Sequence, residues 1–281
     1  MSPVVDIRNL SASAGAQPIL RDVSLSVNAG EVMALVGESG AGKSTIAKAV
    51  LGILPAGIKV SRGEILFEGT DLLTLPPSKL RELLGVRIAL IPQDPLTSLN
   101  PSRRIGDQLT DGLRLRAGMS RAEAKTRALK LLDDVHIRDP ERVLTRYPHE
   151  LSGGMRQRVL IAQAFSLEPH VIIADEPTTA LDVTVQKQVL RLIRDMQREH
   201  KTTLLFVTHD LGVVAQICDR MTVLYGGKVL EQGATADILS NPGHPYTRAL
   251  LAASPRYDKP DQSLKPVPDS LIAELKRELS A

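Results

Sequence analysis

Two stretches of this sequence carry groups suited to holding and cutting a phosphate chain. Gly37-Glu38-Ser39-Gly40-Ala41-Gly42-Lys43-Ser44 has the spacing G-x-x-x-x-G-K-[ST], after the β-branched run Glu31–Val36 and at the start of a helical pattern, Lys43–Leu54. Glycines let backbone N–H groups from Gly40 to Thr45 curl around an anion with no side chain in the way. The helix N-terminus adds partial positive charge. In that cradle Lys43 would neutralise the outer phosphates and Ser44 would offer a hydroxyl to Mg²⁺. The plain alternative is a Gly-rich turn that only caps a helix. A strand before and a helix after are the context the phosphate reading requires.

The second stretch is Val171-Ile172-Ile173-Ala174, which runs straight into Asp175-Glu176. Successive side chains on a strand point oppositely, so the two acids suit different tasks. Asp175 would hold the hydration shell of Mg²⁺, and Glu176 would orient and deprotonate the water attacking the terminal phosphate. A solvated acidic loop after a core strand is the alternative. Gln93 follows the run Val86–Ile91, and His209 follows Thr202–Thr208. Ligands of open α/β sheets sit at the carboxyl ends of strands, which would put both near the same phosphate. Taken alone, each reads as a surface polar residue.

These groups need a scaffold, and the remaining pattern supplies one. Further strand-like runs at Val4–Leu10, Glu64–Glu68 and Arg220–Tyr225 alternate with helical patterns at Asp182–His200 and Leu211–Asp219. That alternation predicts an α/β fold with parallel strands and crossover helices. Val171–Ala174 is continuously apolar, as a strand buried on both faces would be. From Val4 to Glu31 apolar and polar residues alternate, predicting an antiparallel β region. Between Pro95 and Leu167 strand signals fade. Ser120 with Glu123 has the spacing of a capping box, and Ala124, Ala128, Leu131 and Leu132 then share one helix face. The expected layout is a core of residues 1–94 and 168–255, an inserted helical subdomain at 95–167 and a tail at 256–281. Near and within that tail lie prolines 255, 260, 266 and 268, then Leu271, Leu275 and Leu279 at four-residue spacing. So short a helix is marginal unless it docks.

Composition removes other classes. The 281 residues are 43% hydrophobic and 24% charged, near the globular average, so wholesale disorder is not expected. No run approaches the ~18 apolar residues of a membrane span, and no charged-then-apolar leader is expected at the start. Thirty-five basic against 32 acidic side chains leave only +3, and 2% aromatics, with no Trp, starve a base-stacking platform. No nucleic-acid partner is expected. The single cysteine, Cys218, excludes an internal disulfide and a cysteine-rich zinc or iron–sulfur site.

Leu151-Ser152-Gly153-Gly154-Met155-Arg156-Gln157, followed by a helical run to Ser166, completes the set. With the cradle, Gln93, Asp175-Glu176, Ala180-Leu181-Asp182 and His209 in this order and spacing, it resembles the signature of the ATP-binding cassette (ABC) ATPases, the nucleotide-binding subunits of ABC transporters. The likeness spans about residues 4–255 and implies a P-loop NTPase core that hydrolyses ATP with Mg²⁺. It implies that Gln93 approaches Mg²⁺ and the attacking water, that His209 contacts the γ-phosphate and that Asp182 is a dimer contact. Ser152, Gly153 and Gly154 would close over ATP bound by the opposite subunit. Serine and two glycines at a helix N-terminus do form an anion site, and no second cradle in the chain would use it. The expected active species is a head-to-tail pair of cassettes. Two positions depart from the family pattern: Met155 stands where a glutamine is usual, as it does in importers of the peptide and nickel class. No Phe, Tyr or Trp precedes Phe67, so Ser13-Ala14-Gly15-Ala16 has no ring to stack on adenine. Weaker adenine affinity and poorer discrimination from guanine are expected, by about 1–3 kcal/mol per stacked base.

Three stretches narrow the class: Gln93 to Pro101, Asp175 to Asp182, and His244-Pro245-Tyr246-Thr247-Arg248-Ala249-Leu250-Leu251. They resemble the dipeptide, oligopeptide and nickel importer ATPases. Gly52-Ile53-Leu54-Pro55-Ala56-Gly57 and the aromatic-free N-terminal region look most like the nickel importer's D-type ATPase, so nickel or a nickel chelate is the first expectation and peptides the alternative. The six scattered histidines form no ligand cluster and speak to neither. The resemblance implies a second ATPase subunit, a different chain or a second copy, two membrane permease subunits, and indirectly a solute-binding protein. It places the chain peripherally on the cytoplasmic face of a bacterial inner membrane, with Pro95 to Arg104 receiving a membrane-subunit helix. A soluble ABC protein, another P-loop enzyme such as a GTPase, and a non-hydrolysing subunit are the rivals. A missing Asn-Lys-x-Asp guanine reader and the intact Glu176 and His209 argue against the last two.

Overall fold

The computed structural model describes residues 3–179, 181–254 and 266–280, so Ala180 and prolines 255 and 260 lie outside the described residues. Along the chain, β1 (Val5–Ala14), β2 (Gln17–Val27) and β3 (Val32–Val36) lead to α1 (Lys43–Val50), β4 (Ile58–Phe67) and β5 (Thr70–Asp71). Then come α2 (Pro77–Leu83), β6 (Ile88–Ile91), α3 (Pro95–Ser98), α4 (Ile105–Leu115), α5 (Arg121–Asp134), α6 (Pro140–Leu144) and α7 (Gly153–Phe165). The rest is β7 (Val171–Asp175), α8 (Val183–His200), β8 (Thr203–Thr208), α9 (Leu211–Ile217), β9 (Arg220–Tyr225) and β10 (Lys228–Ala234). Three helices close the chain: α10 (Thr235–Ser240), α11 (Pro245–Ala253) and α12 (Asp269–Ser280). Two compact units divide it, residues 1–75 with 205–281, and residues 76–204, the boundary falling inside β8.

In the first unit the alternating N-terminal pattern is an antiparallel sheet of order β2-β1-β4-β5. Val5 and Ile7 of β1 are buried, then Leu10 and Ala12. The phase slip falls where Asn9 takes φ 50 and the register shifts on both neighbours, a bulge that keeps the apolar face inward. The other strands of this unit run β10-β9-β3-β8. β3 is parallel to β9, with Met33 opposite Arg220 and Val36 opposite Val223, while β10 returns antiparallel. All five β3 residues are buried, which a strand covered on both faces requires. Its start is fastened by Asp219, whose carboxylate accepts the Val32 N–H at 2.9 Å. The helix expected to reach Leu54 stops at Val50, where Gly52 takes φ 62 and turns the chain out of α1.

In the second unit β6 and β7 pair in parallel, Ile88 opposite Val171 and Ile91 opposite Ala174. Their carboxyl ends, and the polar residues that follow, therefore emerge side by side. Residues 95–167 contain α3 to α7 and a 3-10 turn, Pro148–Glu150. The capping box forms as spaced: Ser120 Oγ accepts the Glu123 N–H at 3.3 Å, and the Glu123 carboxylate accepts the Ser120 N–H at 2.8 Å. Ala124, Ala128, Leu131 and Leu132 are all buried. No helix of the described residues is long and apolar enough to cross a membrane.

Candidate functional site

The cradle belongs to the first unit. β3 delivers the chain to Gly37, which sits at φ 154 so close under β9 that a Cβ there would overlap the Leu224 carbonyl oxygen. At the other end Gly42 takes φ 100 as the N-cap of α1, where a Cβ would lie 2.7 Å from Leu20 Cδ2. Only glycine fits both places. Between them the loop through Glu38, Ser39, Gly40 and Ala41 is tied by Ala41 N–H to the Glu38 carbonyl at 3.2 Å, and by Gly227 N–H to the Ala41 carbonyl at 3.0 Å. Lys43 is buried, its ammonium donating to the carbonyls of Gly37 at 2.7 Å and Glu38 at 2.9 Å. The lysine charge thus lies folded over the mouth of the curl. Ser44 and Thr45 follow, half-buried, on the first helical turn, whose N–H groups have no intrahelical acceptor.

The second unit supplies the acids. Asp175 ends β7, and Glu176 follows at φ 46, a left-handed conformation that costs a non-glycine residue about 1–3 kcal/mol. Gln93, two residues past β6, donates from Nε2 to Glu176 Oε2 at 3.1 Å. The Thr179 hydroxyl donates to the same oxygen at 2.9 Å. Gln93 and Glu176, 83 residues apart in sequence, are brought into contact. Sequence reasoning missed Thr179. Its signal was a threonine three residues after an acid in a Pro-containing turn, where a hydroxyl readily bonds back.

The remaining candidates occupy strand and helix ends. His209, in the first unit, is exposed just past β8, beside Asp210, whose carboxylate caps α9 through the Gly212 N–H at 2.8 Å and Val213 N–H at 3.2 Å. In the second unit Asp182 caps α8, accepting from Thr184 and Val185 N–H at 3.0 and 2.9 Å. Ser152 caps α7 by accepting the Met155 N–H at 3.3 Å. Ser152 and Gly153 are exposed, and nothing lies within 4 Å of where a Gly153 Cβ would be. The start of α7 is therefore open at Gly153, while Val185 of α8 lies against Gly154.

A magnesium ion suits the donors available. In the first unit Ser44 offers a hydroxyl, and in the second Asp175 and Gln93 offer a carboxylate and an amide oxygen, each a hard oxygen donor. Mg²⁺ characteristically takes one or two protein oxygens and completes its shell with phosphate and water. Among the described residues no cluster of three or more His, Cys, Asp or Glu could hold a metal ion.

One buttress of the cradle was not read as a site residue. Tyr246, on α11, is wholly buried with its ring centroid 4.9 Å from that of Tyr225, and its hydroxyl faces the Glu38 backbone without completing a hydrogen bond. Burial, reinforced by the Glu38 charge, pushes the Tyr246 phenol far above its usual range, so it stays protonated. The stretch around it is pinned: Glu231 accepts the N–H of Gly243 at 2.7 Å and of His244 at 3.1 Å, and Arg248 donates to the carbonyls of Pro242 and Gly243. The His244-Pro245-Tyr246 stretch resembled a family motif, but only the tertiary contact shows that it backs the phosphate loop.

The chain is similar to proteins already known. Residues 20–179 match the family described as ABC transporter, and residues 230–278 match the oligopeptide/dipeptide transporter C-terminal region. The chain is 49% identical over 274 residues to a probable D,D-dipeptide transport ATP-binding protein, DdpD, of Escherichia coli, covering 96% of this chain and 84% of that protein. It is 45% identical over 272 residues to the dipeptide transport ATP-binding protein DppD of Bacillus subtilis, covering 95% and 81%. Among solved structures it resembles the ATP-binding cassette MJ0796 in a dimeric post-hydrolysis state bound to ADP and phosphate, with a TM-score of 0.72, 28% identity and coverage of 82% of this chain and 98% of that one.

Proposed function

We propose, because the chain belongs to the ABC transporter family, that it is the ATPase subunit of an importer of dipeptides or oligopeptides. It is an ABC ATPase that binds and hydrolyses ATP, with Mg²⁺ as the partner ion. The observation that carries the peptide reading is the match of residues 230–278 to the oligopeptide/dipeptide C-terminal region, which includes the Tyr246 buttress. The sequence alone placed nickel first. Both relatives compared are named for dipeptide transport, and the order is reversed.

In this reading the cradle from Gly37 to Thr45 wraps the phosphates, and Lys43 leaves its two carbonyl partners to neutralise them. Ser44, Asp175 and Gln93 would hold Mg²⁺, which when bound would supply charge neutralisation on the phosphate oxygens. Glu176 accepts the proton of the attacking water, its carboxylate held ready by Gln93 and Thr179. His209 contacts the terminal phosphate. Ser152, Gly153 and Gly154 serve the ATP of a second ATPase subunit, with Asp182 at that junction, and two permeases anchor the pair at the cytoplasmic face of the membrane. The test is phosphate release by the chain assembled with its permeases in proteoliposomes, with peptide-loaded or nickel-loaded solute-binding protein. Stimulation by dipeptide is expected, with Lys43→Ala weakening nucleotide binding. Stimulation by nickel alone would sink the peptide reading.

A further inference from the structure

Beside the cradle the first unit contains a pocket of about 380 Å³, within the range of small-molecule sites. It is lined by Ser39 and Gly40 of the phosphate loop, Pro18 and Ile19 at the start of β2, Tyr225 at the end of β9, and Lys276 and Leu279 of α12. The last wall is unexpected, because a nucleotide cradle needs nothing from the end of the chain. Two features fix it there. Leu275 on the same helix is buried, and Leu279 seats on Gly226 so closely that a Cβ at 226 would overlap Leu279 Cδ1. The pocket stays open with α12 docked, so the helix borders it without filling it.

We propose that α12 is part of the nucleotide site, Leu279 forming with Pro18 and Ile19 an aliphatic slot for the nucleoside base, and Lys276 adding positive charge at its rim. This rests on the nucleotide-binding reading of the cradle. It also supplies what the N-terminal region lacks. Ser13-Ala14-Gly15-Ala16 has no ring to stack on a base, whereas Ile19 and Leu279 line one pocket from two ends of the chain. Aliphatic contact from these side chains, with Tyr225 also lining the pocket, stands in for the missing N-terminal ring, and every purine has faces that accept it.

The experiment measures equilibrium binding of ATP and of inorganic tripolyphosphate, which has no base, to the full chain in EDTA. Leu279→Asp alters the wall itself, and Leu275→Asp undocks the helix from a position outside the pocket; circular dichroism checks that both fold. ATP binding is expected to weaken at least tenfold in each, with tripolyphosphate binding within twofold of the parent. Three results overturn the proposal: ATP binding unchanged, ATP binding strengthened as for a displaced plug, or both ligands weakened equally as for mere support of the loop. Lys43→Ala should weaken both ligands. If it leaves tripolyphosphate binding intact, the cradle reading fails independently of the helix.

Discussion

Replacing Glu176 by glutamine separates proton chemistry from geometry. Glu176 Oε2 accepts Gln93 Nε2 at 3.1 Å and the Thr179 hydroxyl at 2.9 Å. A glutamine amide oxygen can accept both donors, so Glu176→Gln keeps the side chain where it is and removes only the ability to take a proton. A positioned general base contributes about 10²–10⁴-fold to rate, or about 3–5 kcal/mol at 1.36 kcal/mol per decade. Thr179→Val does the reverse, keeping the carboxylate and deleting one donor to a charged group, which is worth about 1.5–3 kcal/mol. Only part of that is felt in the transition state, because Gln93 still holds the same oxygen. In the assembled transporter, phosphate release at saturating ATP should fall at least a hundredfold in Glu176→Gln with ATP affinity retained, and by clearly less in Thr179→Val. A Glu176→Gln variant within tenfold of the parent would remove Glu176 as the base. A Thr179→Val variant as impaired as Glu176→Gln would mean that position, and not proton acceptance, limits the rate.

Tyr246→Phe should change the melting temperature little, because the hydroxyl completes no hydrogen bond, whereas Tyr246→Ala should cost about 3–5 kcal/mol in denaturant unfolding. For Glu231, burial works to raise the pKa and is outweighed by the nearby Thr247 hydroxyl and by hydrogen bonds from the Gly243 and His244 N–H groups, leaving the carboxyl below its ordinary 4.5. A carboxyl depressed on folding stabilises above its unfolded pKa and loses that contribution as pH falls through the folded value. Glu231→Gln should therefore melt below the parent at neutral pH, and the gap should close as pH drops below 4.5. On the surface expected to meet a permease, Arg103 is bound to Asp111 at 2.6 Å and Arg104 lies over the Tyr147 ring at 5.8 Å, so reversing either charge also disturbs the helical unit. Leu96, 61% exposed on α3, is the cleaner probe. Leu96→Asp should impair assembly or transport with the melting temperature unchanged, and normal transport by it would argue against this surface.

Strands wholly inside the core were legible because their pattern needs no partner to be read. β3, Val171–Ala174 of β7 and residues 204–207 of β8 are continuous apolar runs, and the residues with chemistry follow their ends. Elements whose stability comes from elsewhere were not. β10 has no fully buried residue and exists because β9 offers it a hydrogen-bonding edge. β4 was read from Glu64 and begins at Ile58, since its first half is held by pairing with Ser13 and Ala14 of β1 and not by its own apolar content. The same division runs through the site. Glu176 and Gln93 were visible as polar residues after apolar strands, but Thr179 and Tyr246 act through contacts fixed only when the chain closes.

The docking of α12 follows from the same reasoning. A helix of 12 residues is near the limit below which a single helix is marginal in water. Its four-residue leucine spacing becomes useful only against a surface prepared to receive it. That surface is the β9–β10 turn, where Gly226 at φ 53 leaves room for Leu279, and Gly227 at φ 81 presses on the Ile19 carbonyl too closely to admit any Cβ. Gly227 also donates to the Ala41 carbonyl of the cradle at 3.0 Å, and the Arg21 guanidinium donates to the Gly226 carbonyl. One turn is thus shared by the phosphate loop, the first residues of β2 and the end of the chain.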